Sequence, residues 1–291
     1  LVIIGRTAGE DQDSKDTQGS FRLTDAETDM IRKVSAAFPR TAVLLNVGNI
    51  IDMQWVEETD PSAVMYVWQG GQEGGHAAAD VLTGRVVPCG RLTATIAERI
   101  EDHPSAAGFG DPVRNYYKED IYVGYRYFET FAKEKVLYPF GFGLSYTTFS
   151  MDAKLAELPQ ECRAGENGEA AENCLAEEAG RNQGNSPASE SCLTVEVCVH
   201  NTGSVPGKEV VQVYVCAPQG RLGKPSRVLA GFVKTDVIPA GETWKGSVRI
   251  PLYRLASYDD SGVTGHKSCY VLEAGEYKLY TGCNVREAEY T

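Results

Sequence analysis

The feature that most constrains this chain is a change in hydrophobic period part-way along it. Up to about Gly90, short apolar runs alternate with stretches of helical spacing. From Leu193 onward the apolar residues recur at every second position. The runs Val2 to Ile4, Ala42 to Asn46 and Ala63 to Trp68 are too short for helices and rich in β-branched or aromatic residues, so each suits a strand of a parallel sheet buried on both faces. Between them, Thr24 with Glu27 three positions later forms a capping box. Met30, Ile31, Val34 and Phe38 then repeat on one helical face until Pro39 stops the helix. A second helix is predicted from Gly74, carrying Ala77, Ala78, Val81 and Leu82 toward the sheet and ending at Gly84. The first half is therefore α/β.

The second half reads differently. Thr194 to Val199, Glu209 to Val215, Val228 to Thr235, Trp244 to Ile250 and Tyr270 to Thr281 are period-two segments separated by Gly, Pro and Asn turns. That pattern describes an antiparallel sandwich of about 100 residues, and a fibronectin type III-like module fits it better than an antibody domain, whose Cys-Trp-Cys spacing is not apparent. With 291 residues in all, two domains with real cores are affordable at roughly 150 residues per domain. The expected organisation is an α/β domain over 1–110, an aromatic-rich interdomain linker over 111–146 and the β-sandwich over 147–291. The linker is rich in tyrosine and is expected to tie the two domains together.

Charge narrows the partners. The net charge is −12, which repels nucleic acid and anionic membrane surfaces. No apolar run approaches the roughly 20 residues that span a bilayer. Between 152 and 191, nine acids face three bases and no aromatic occurs. The middle of that stretch, about 157–190, is read as an acidic flexible insertion too poor in apolar area to offset chain entropy.

Eight cysteines occur at 89, 162, 174, 192, 198, 216, 269 and 283. Without a CxxC pair they do not have zinc spacing, and no metal site or cofactor is expected. They fit either a disulfide framework or a set of reduced, buried thiols, so a cytoplasmic and a secreted setting both stay open. The chain opens as a strand already under way, with no initiator Met and no basic leader, from which a missing N-terminal part is expected.

Ligands of open α/β sheets bind beyond the carboxyl ends of the strands. The turn after the first run, Gly5-Arg6-Thr7-Ala8-Gly9-Glu10-Asp11-Gln12-Asp13-Ser14-Lys15, stands at such an end. Glu10, with Gly9 beside it and Arg6 and Lys15 as counter-charges, has the makings of a general acid, although a solvated charged turn fits the same spacing. Gly70-Gly71-Gln72-Glu73-Gly74-Gly75 before a helix lacks the P-loop lysine, and no GxGxxG or GxSxG pattern is present. The four histidines are scattered. Trp68 reads as an aromatic closing a core or as a platform for stacking on a sugar, and the former is the commoner use.

Several stretches together resemble the C-terminal portion of glycoside hydrolase family 3 β-glucosidases. They are IGRTAGE at 4–10, VLLNVG at 43–48, VWQGG at 67–71 leading to ADVLTG at 79–84, EDIYVGYRYFET at 119–130 and YPFGFGLSYTTF at 138–149. Further on come HNTG at 200–203, GKEVVQVY at 207–214, Lys224-Pro225 and LEAGEY at 272–277. The resemblance covers nearly the whole chain apart from the acidic insertion. It implies part of an (α/β)6 sandwich with a parallel sheet, followed by a fibronectin type III-like β-sandwich.

It also implies a retaining glycosidase whose nucleophile is an aspartate of a (β/α)8-type barrel domain, for which this chain has no counterpart. Glu10 matches the family's acid/base glutamate. Arg6 and Asp13 match positions of the same loop that orient that carboxylate or line the sugar pocket, and Lys15 is a looser candidate; Tyr116 and Tyr117 are secondary ones. The implied partners are a β-glucoside or oligosaccharide and the barrel domain of the same enzyme, and nothing excludes a homo-oligomer. The alternatives are a non-catalytic carbohydrate-binding or interaction module, or β-xylosidase or broader exo-glucosidase specificity.

Overall fold

The computed structural model describes residues 1–7, 14–156, 173–174 and 192–291. The backbone divides into two units. One contains Leu1–Val86, Ala94–Glu119 and Lys133–Pro139; the other contains Val87–Thr93, Asp120–Ala132 and Phe140–Thr291.

The first unit is built on three parallel strands, β1 (Val2–Gly5), β2 (Ala42–Asn46) and β3 (Ala63–Tyr66), in the order β1-β2-β3. In register, Gly5 lies beside Asn46 and Leu45 beside Tyr66, so all three strands end on one edge of the sheet. Helices α1 (Asp25–Ala37), α2 (Trp55–Thr59) and α3 (Gly74–Leu82) follow these strands in turn. The capping box of α1 is formed as its sequence requires: the Glu27 amide donates to Thr24 Oγ1 at 3.2 Å, and the Thr24 amide donates to Glu27 Oε2 at 2.8 Å. At the other end the Phe38 amide closes the helix on the Val34 carbonyl.

Burial departs from expectation at the margins of this unit. Only the central strand has both faces covered: Val43, Leu44 and Leu45 are buried, whereas on β1 Val2 and Ile4 are buried and Ile3 is exposed. Ala63 of β3 is exposed and its neighbours half-buried. Ile31 carries the inward face of α1, while Met30 and Phe38 at the edges of its apolar stripe are exposed. On α3, Ala78 and Val81 are half-buried but Ala77 and Leu82 are exposed, so the expected inward face is covered in part. The apolar runs were long enough to mark the elements but do not say which of two faces is covered. The unit closes with β4 (Ile96–Ala97) against β5 (Val136–Tyr138), beside a buried Asp102 paired with Lys135 at 2.9 Å.

The second unit opens its helical part with α4 (Tyr125–Phe131). Tyr125 stacks on Phe140 at 4.4 Å between ring centroids, and its hydroxyl accepts the Leu229 amide at 2.9 Å. Buried Glu129 accepts from Arg286 Nε at 2.5 Å. The strands are β6 (Phe149–Leu155), β7 (Asn173–Cys174), β8 (Cys192–Asn201), β9 (Val210–Cys216), β10 (Val228–Lys234), β11 (Thr243–Pro251), β12 (Ser257–Asp259), β13 (Cys269–Leu272), β14 (Lys278–Gly282) and β15 (Glu289–Tyr290). Two sheets, β10-β9-β14-β15 and β11-β8-β6, enclose the core, with a small third sheet, β12-β13-β7. Val195, Val197 and Val199 of β8 alternate inward and meet Val211, Val213 and Val215 of β9. This is the period-two pattern converted into packing.

The chain is thus mixed α/β with a parallel sheet, followed by an antiparallel β-sandwich. The acidic insertion expected over 157–190 lies outside the described residues, except for the backbone of Asn173–Cys174, which pairs with β13. The predicted strand Tyr270 to Thr281 is two strands. Between them Glu273 turns its carboxylate onto the Arg221 amide at 2.7 Å and onto the Lys224 ammonium, and Gly275 takes φ +148°. No disulfide joins the described cysteines to one another. Among the described residues no helix is long and apolar enough to cross a membrane.

Candidate functional site

The carboxyl edge of the β1-β2-β3 sheet collects the segments that the sequence singled out. β1 runs into Arg6 and Thr7, β2 into Val47 to Asn49, and β3 into Val67 to Gly70. Main-chain bonds continue the sheet past its last strand residues: the Arg6 amide donates to the Asn46 carbonyl at 3.1 Å, and the Val67 amide to Leu45 at 3.0 Å. Glu10 and Asp13 lie outside the described residues.

Arg6 is described, and its guanidinium is almost fully committed. Nη1 and Nη2 each donate to a Glu27 carboxylate oxygen at 2.7 Å, a fork-to-fork pair. Nη1 also donates to the Gly5 carbonyl at 2.8 Å, and Nε to the Ser20 carbonyl at 3.1 Å. The Arg6 side chain is 11% exposed. Burial works to raise the Glu27 carboxyl, but the bonds from Arg6 and from the Thr24 amide outweigh it and hold the group below its ordinary value. Glu27 therefore has two duties, closing the N-terminus of α1 and neutralising Arg6. Its sequence context reveals the first, because the capping box is local. The second needs β1 and α1 side by side, and sequence reasoning missed it.

Lys15, two residues after Asp13 in the chain, is exposed. Its described bonds are made by the main chain: its amide donates to Ser20 Oγ at 2.9 Å, and its carbonyl accepts the Phe21 amide at 3.1 Å. Next to it, Ser14 Oγ accepts from Asn49 Nδ2 at 3.2 Å, linking this flank to the loop after β2.

Past β3, Trp68 is half-buried and adopts φ +54°, a left-handed conformation uncommon for a bulky residue. Its ring lies 4.6 Å from that of Tyr66. This turn of the backbone ends β3 at Tyr66, two residues short of the predicted Trp68. The Tyr66 hydroxyl accepts the Ile51 amide at 2.9 Å and donates to the Asn49 carbonyl at 3.3 Å, and burial pushes its pKa up to about 12. The glycines that follow have a steric purpose. A Cβ on Gly70 would stand 2.7 Å from Gly74 Cα, and the Gly74 amide bonds back to Gly71, so the run is a tight turn into α3. Tyr116 and Tyr117 are exposed.

Residues 1–146, just over half of the chain, match the sequence pattern of the glycosyl hydrolase family 3 C-terminal domain. The chain belongs to glycoside hydrolase family 3. Residues 209–285 match a fibronectin type III-like domain. The β-glucosidase of Ruminococcus albus is 46% identical over 289 residues, covering 99% of this chain and 27% of that protein. Beta-glucosidase A of Butyrivibrio fibrisolvens is 44% identical over 274 residues, covering 92% of this chain and 31% of that protein. Among solved structures, a β-glucosidase from Paenibacillus barengoltzii superposes with a TM-score of 0.85 at 49% identity, over all of this chain and 29% of that one. Beta-glucosidase 3B from Thermotoga neapolitana, solved in complex with glucose, superposes with a TM-score of 0.79 at 37% identity, over 98% of this chain and 36% of that one. The chain thus spans about a third or less of the length of these relatives, in keeping with the C-terminal portion of a family 3 protein.

Proposed function

We propose that these residues are the part of a retaining β-glucosidase that brings the general acid/base, Glu10, to a glucoside held by a barrel domain of the same enzyme. The observation that carries the reading is the position of Gly5 to Thr7: they leave β1 at the carboxyl edge of the sheet and precede Glu10 in the chain, within a stretch that matches the family pattern from residue 1 to residue 146. The names of the relatives support a β-glucoside as substrate.

The chemistry divides accordingly. A retaining glycosidase needs two carboxyls about 5–5.5 Å apart, one protonated at the leaving oxygen and one ionised at the anomeric carbon. In this reading the aspartate nucleophile comes from the barrel and displaces the aglycone, forming the glycosyl-enzyme, while Glu10 gives its proton to the departing oxygen. Glu10 then takes a proton from the water that attacks the anomeric carbon and releases the sugar, regenerating both groups. The first step needs that carboxyl protonated, a state that enclosure beside a bound sugar favours for carboxyls in general. Asp13 and Lys15 are assigned, with Arg6, to orienting that carboxylate or contacting the sugar.

The test is a complete enzyme, made by joining these 291 residues to the part of the Paenibacillus barengoltzii β-glucosidase that they do not match. It is expected to hydrolyse aryl β-glucosides faster than aryl β-xylosides, and NMR of the first-formed glucose should show the β-anomer. Binding of cello-oligosaccharides without turnover would contradict the reading and favour a carbohydrate-binding module.

A further inference from the structure

Outward surfaces of the sandwich unit differ in chemistry. The β11-β8-β6 sheet presents charge: Asp152, Lys154, Glu196, Lys245 and Arg249 are exposed, and Lys154 pairs with Glu196 across β6 and β8 at 2.9 Å. The β12-β13 pair presents aromatic rings instead. Tyr258 stands directly opposite Tyr270 in register, while Asp259, Cys269 and Val271, at the alternate positions, are buried on the other face. Tyr253 joins them from the 3₁₀ turn Leu252–Leu255, whose two leucines are anchored in the core.

Three elements thus bring three rings together. Tyr270 is the centre: its ring centroid lies 4.8 Å from that of Tyr253 and 5.1 Å from that of Tyr258, at interplanar angles of 61° and 65°. The outer rings are 46% and 50% exposed. Each ring stands on backbone whose opposite side is core, so the arrangement exists before any ligand arrives. The Tyr253 and Tyr270 hydroxyls interact, which lifts the Tyr253 pKa above its ordinary value and puts polar tips beside the exposed faces. A contiguous aromatic patch marks an interaction site where single exposed residues do not.

We propose that Tyr253, Tyr258 and Tyr270 form a saccharide-binding site on the sandwich unit, for a β-1,4-linked pyranose chain. A tyrosine ring takes apolar groups on its face and bonds to polar ones at its tip. Such a sugar chain has the matching character: its ring substituents are equatorial, so each unit shows C–H bonds above and below and hydroxyls at its edge. It is also neutral, which suits three uncharged phenols on a chain whose net charge of −12 repels anionic polymers. Membership of a glycoside hydrolase family makes a saccharide the fitting occupant. The site does not depend on the acid/base role of Glu10.

Calorimetric titration of the 291-residue chain with cellohexaose and with xylohexaose tests the site, and the hexaose that binds names the sugar. Y253A and Y258A should each weaken that binding about tenfold, whereas Y253F and Y258F, which keep the ring, should weaken it less than about threefold. Y253L and Y258L keep apolar bulk against Tyr270 but lose the flat face, and should behave as the alanine variants do, so the result does not hang on one substitution that unfolds. Failure of both hexaoses to bind, or binding that none of these variants weakens, would overturn the proposal. So would a dimer in light scattering that Y258A abolishes, because a second copy would then cover the rings. In the complete enzyme, Y258A should leave kcat/KM on an aryl β-glucoside within about twofold; a larger fall would place the ring in the reaction itself and contradict the proposal. Because binding is read on the chain without turnover, its failure and that of the acid/base reading are seen separately.

Discussion

Lys224 and Glu273 form an ion pair inside the sandwich unit, each side chain 3% exposed. The ammonium also donates to the Pro218 carbonyl at 2.7 Å, and the carboxylate accepts the Arg221 and Leu222 amides, so both charges are hydrogen-bonded as well as paired. Burial alone would raise the Glu273 carboxyl; Lys224 and the Arg221 amide reverse this and keep it below its ordinary value. Removing one charge strands the other in a dry site. Urea unfolding of E273Q should show a loss of about 3–5 kcal/mol. The double variant K224M/E273Q should recover part of it, because the glutamine oxygen can still accept the Arg221 amide.

A second carboxylate governs the acid limb of stability. Asp259 is buried at the end of β12 and accepts the amides of Ser261, Gly262, Val263 and Thr264 together with the Ser261 and Thr264 hydroxyls. Burial works against the charge, but the bonds from Thr264, Gly262 and Ser261 win and hold the group well below its ordinary 3.8. A carboxyl depressed in the folded state contributes fully above its unfolded value, and that contribution is lost as pH falls through the folded one. Scans of Tm against pH should show the native protein losing stability below about pH 4. D259N should have a lower Tm at neutral pH and a shallower decline in acid.

The turn from β3 into α3 predicts opposite outcomes at neighbouring glycines. Gly70 leaves no room for a Cβ against Gly74, whereas a Cβ on Gly71 meets nothing within 4 Å. G70A should destabilise by about 1–3 kcal/mol through overpacking against backbone, and G71A should lie within about 1 kcal/mol of the native protein. Chemical denaturation of the two variants side by side distinguishes a steric turn from a phosphate cradle, in which both glycines would matter.

Local signals in the sequence proved legible and relational ones did not. Helix α1 was readable because its cap, its apolar row and its stop all lie within sixteen residues, Thr24 to Pro39. The strand β2 was readable because its apolar run is too short for a helix. Trp68 was placed in a strand because aromatic residues favour strands, and nothing local announces its left-handed backbone. The break at Glu273 is invisible locally because its partners lie about fifty residues away at Arg221 to Lys224. At the candidate site, family resemblance singled out Glu10 and Arg6, yet the partner that commits Arg6, Glu27, already had a sufficient local explanation as a cap.

The central claim is that Glu10 is the proton donor and acceptor of a retaining glycosidase. Its most direct test is E10A in the complete enzyme, assayed on 2,4-dinitrophenyl β-glucoside with and without sodium azide. Without a base to activate water, the glycosyl-enzyme should accumulate, and azide, which needs no deprotonation, should raise kcat and yield β-glucosyl azide. Undiminished turnover in E10A, or a crippled variant that azide neither accelerates nor converts to the azide product, would contradict the account.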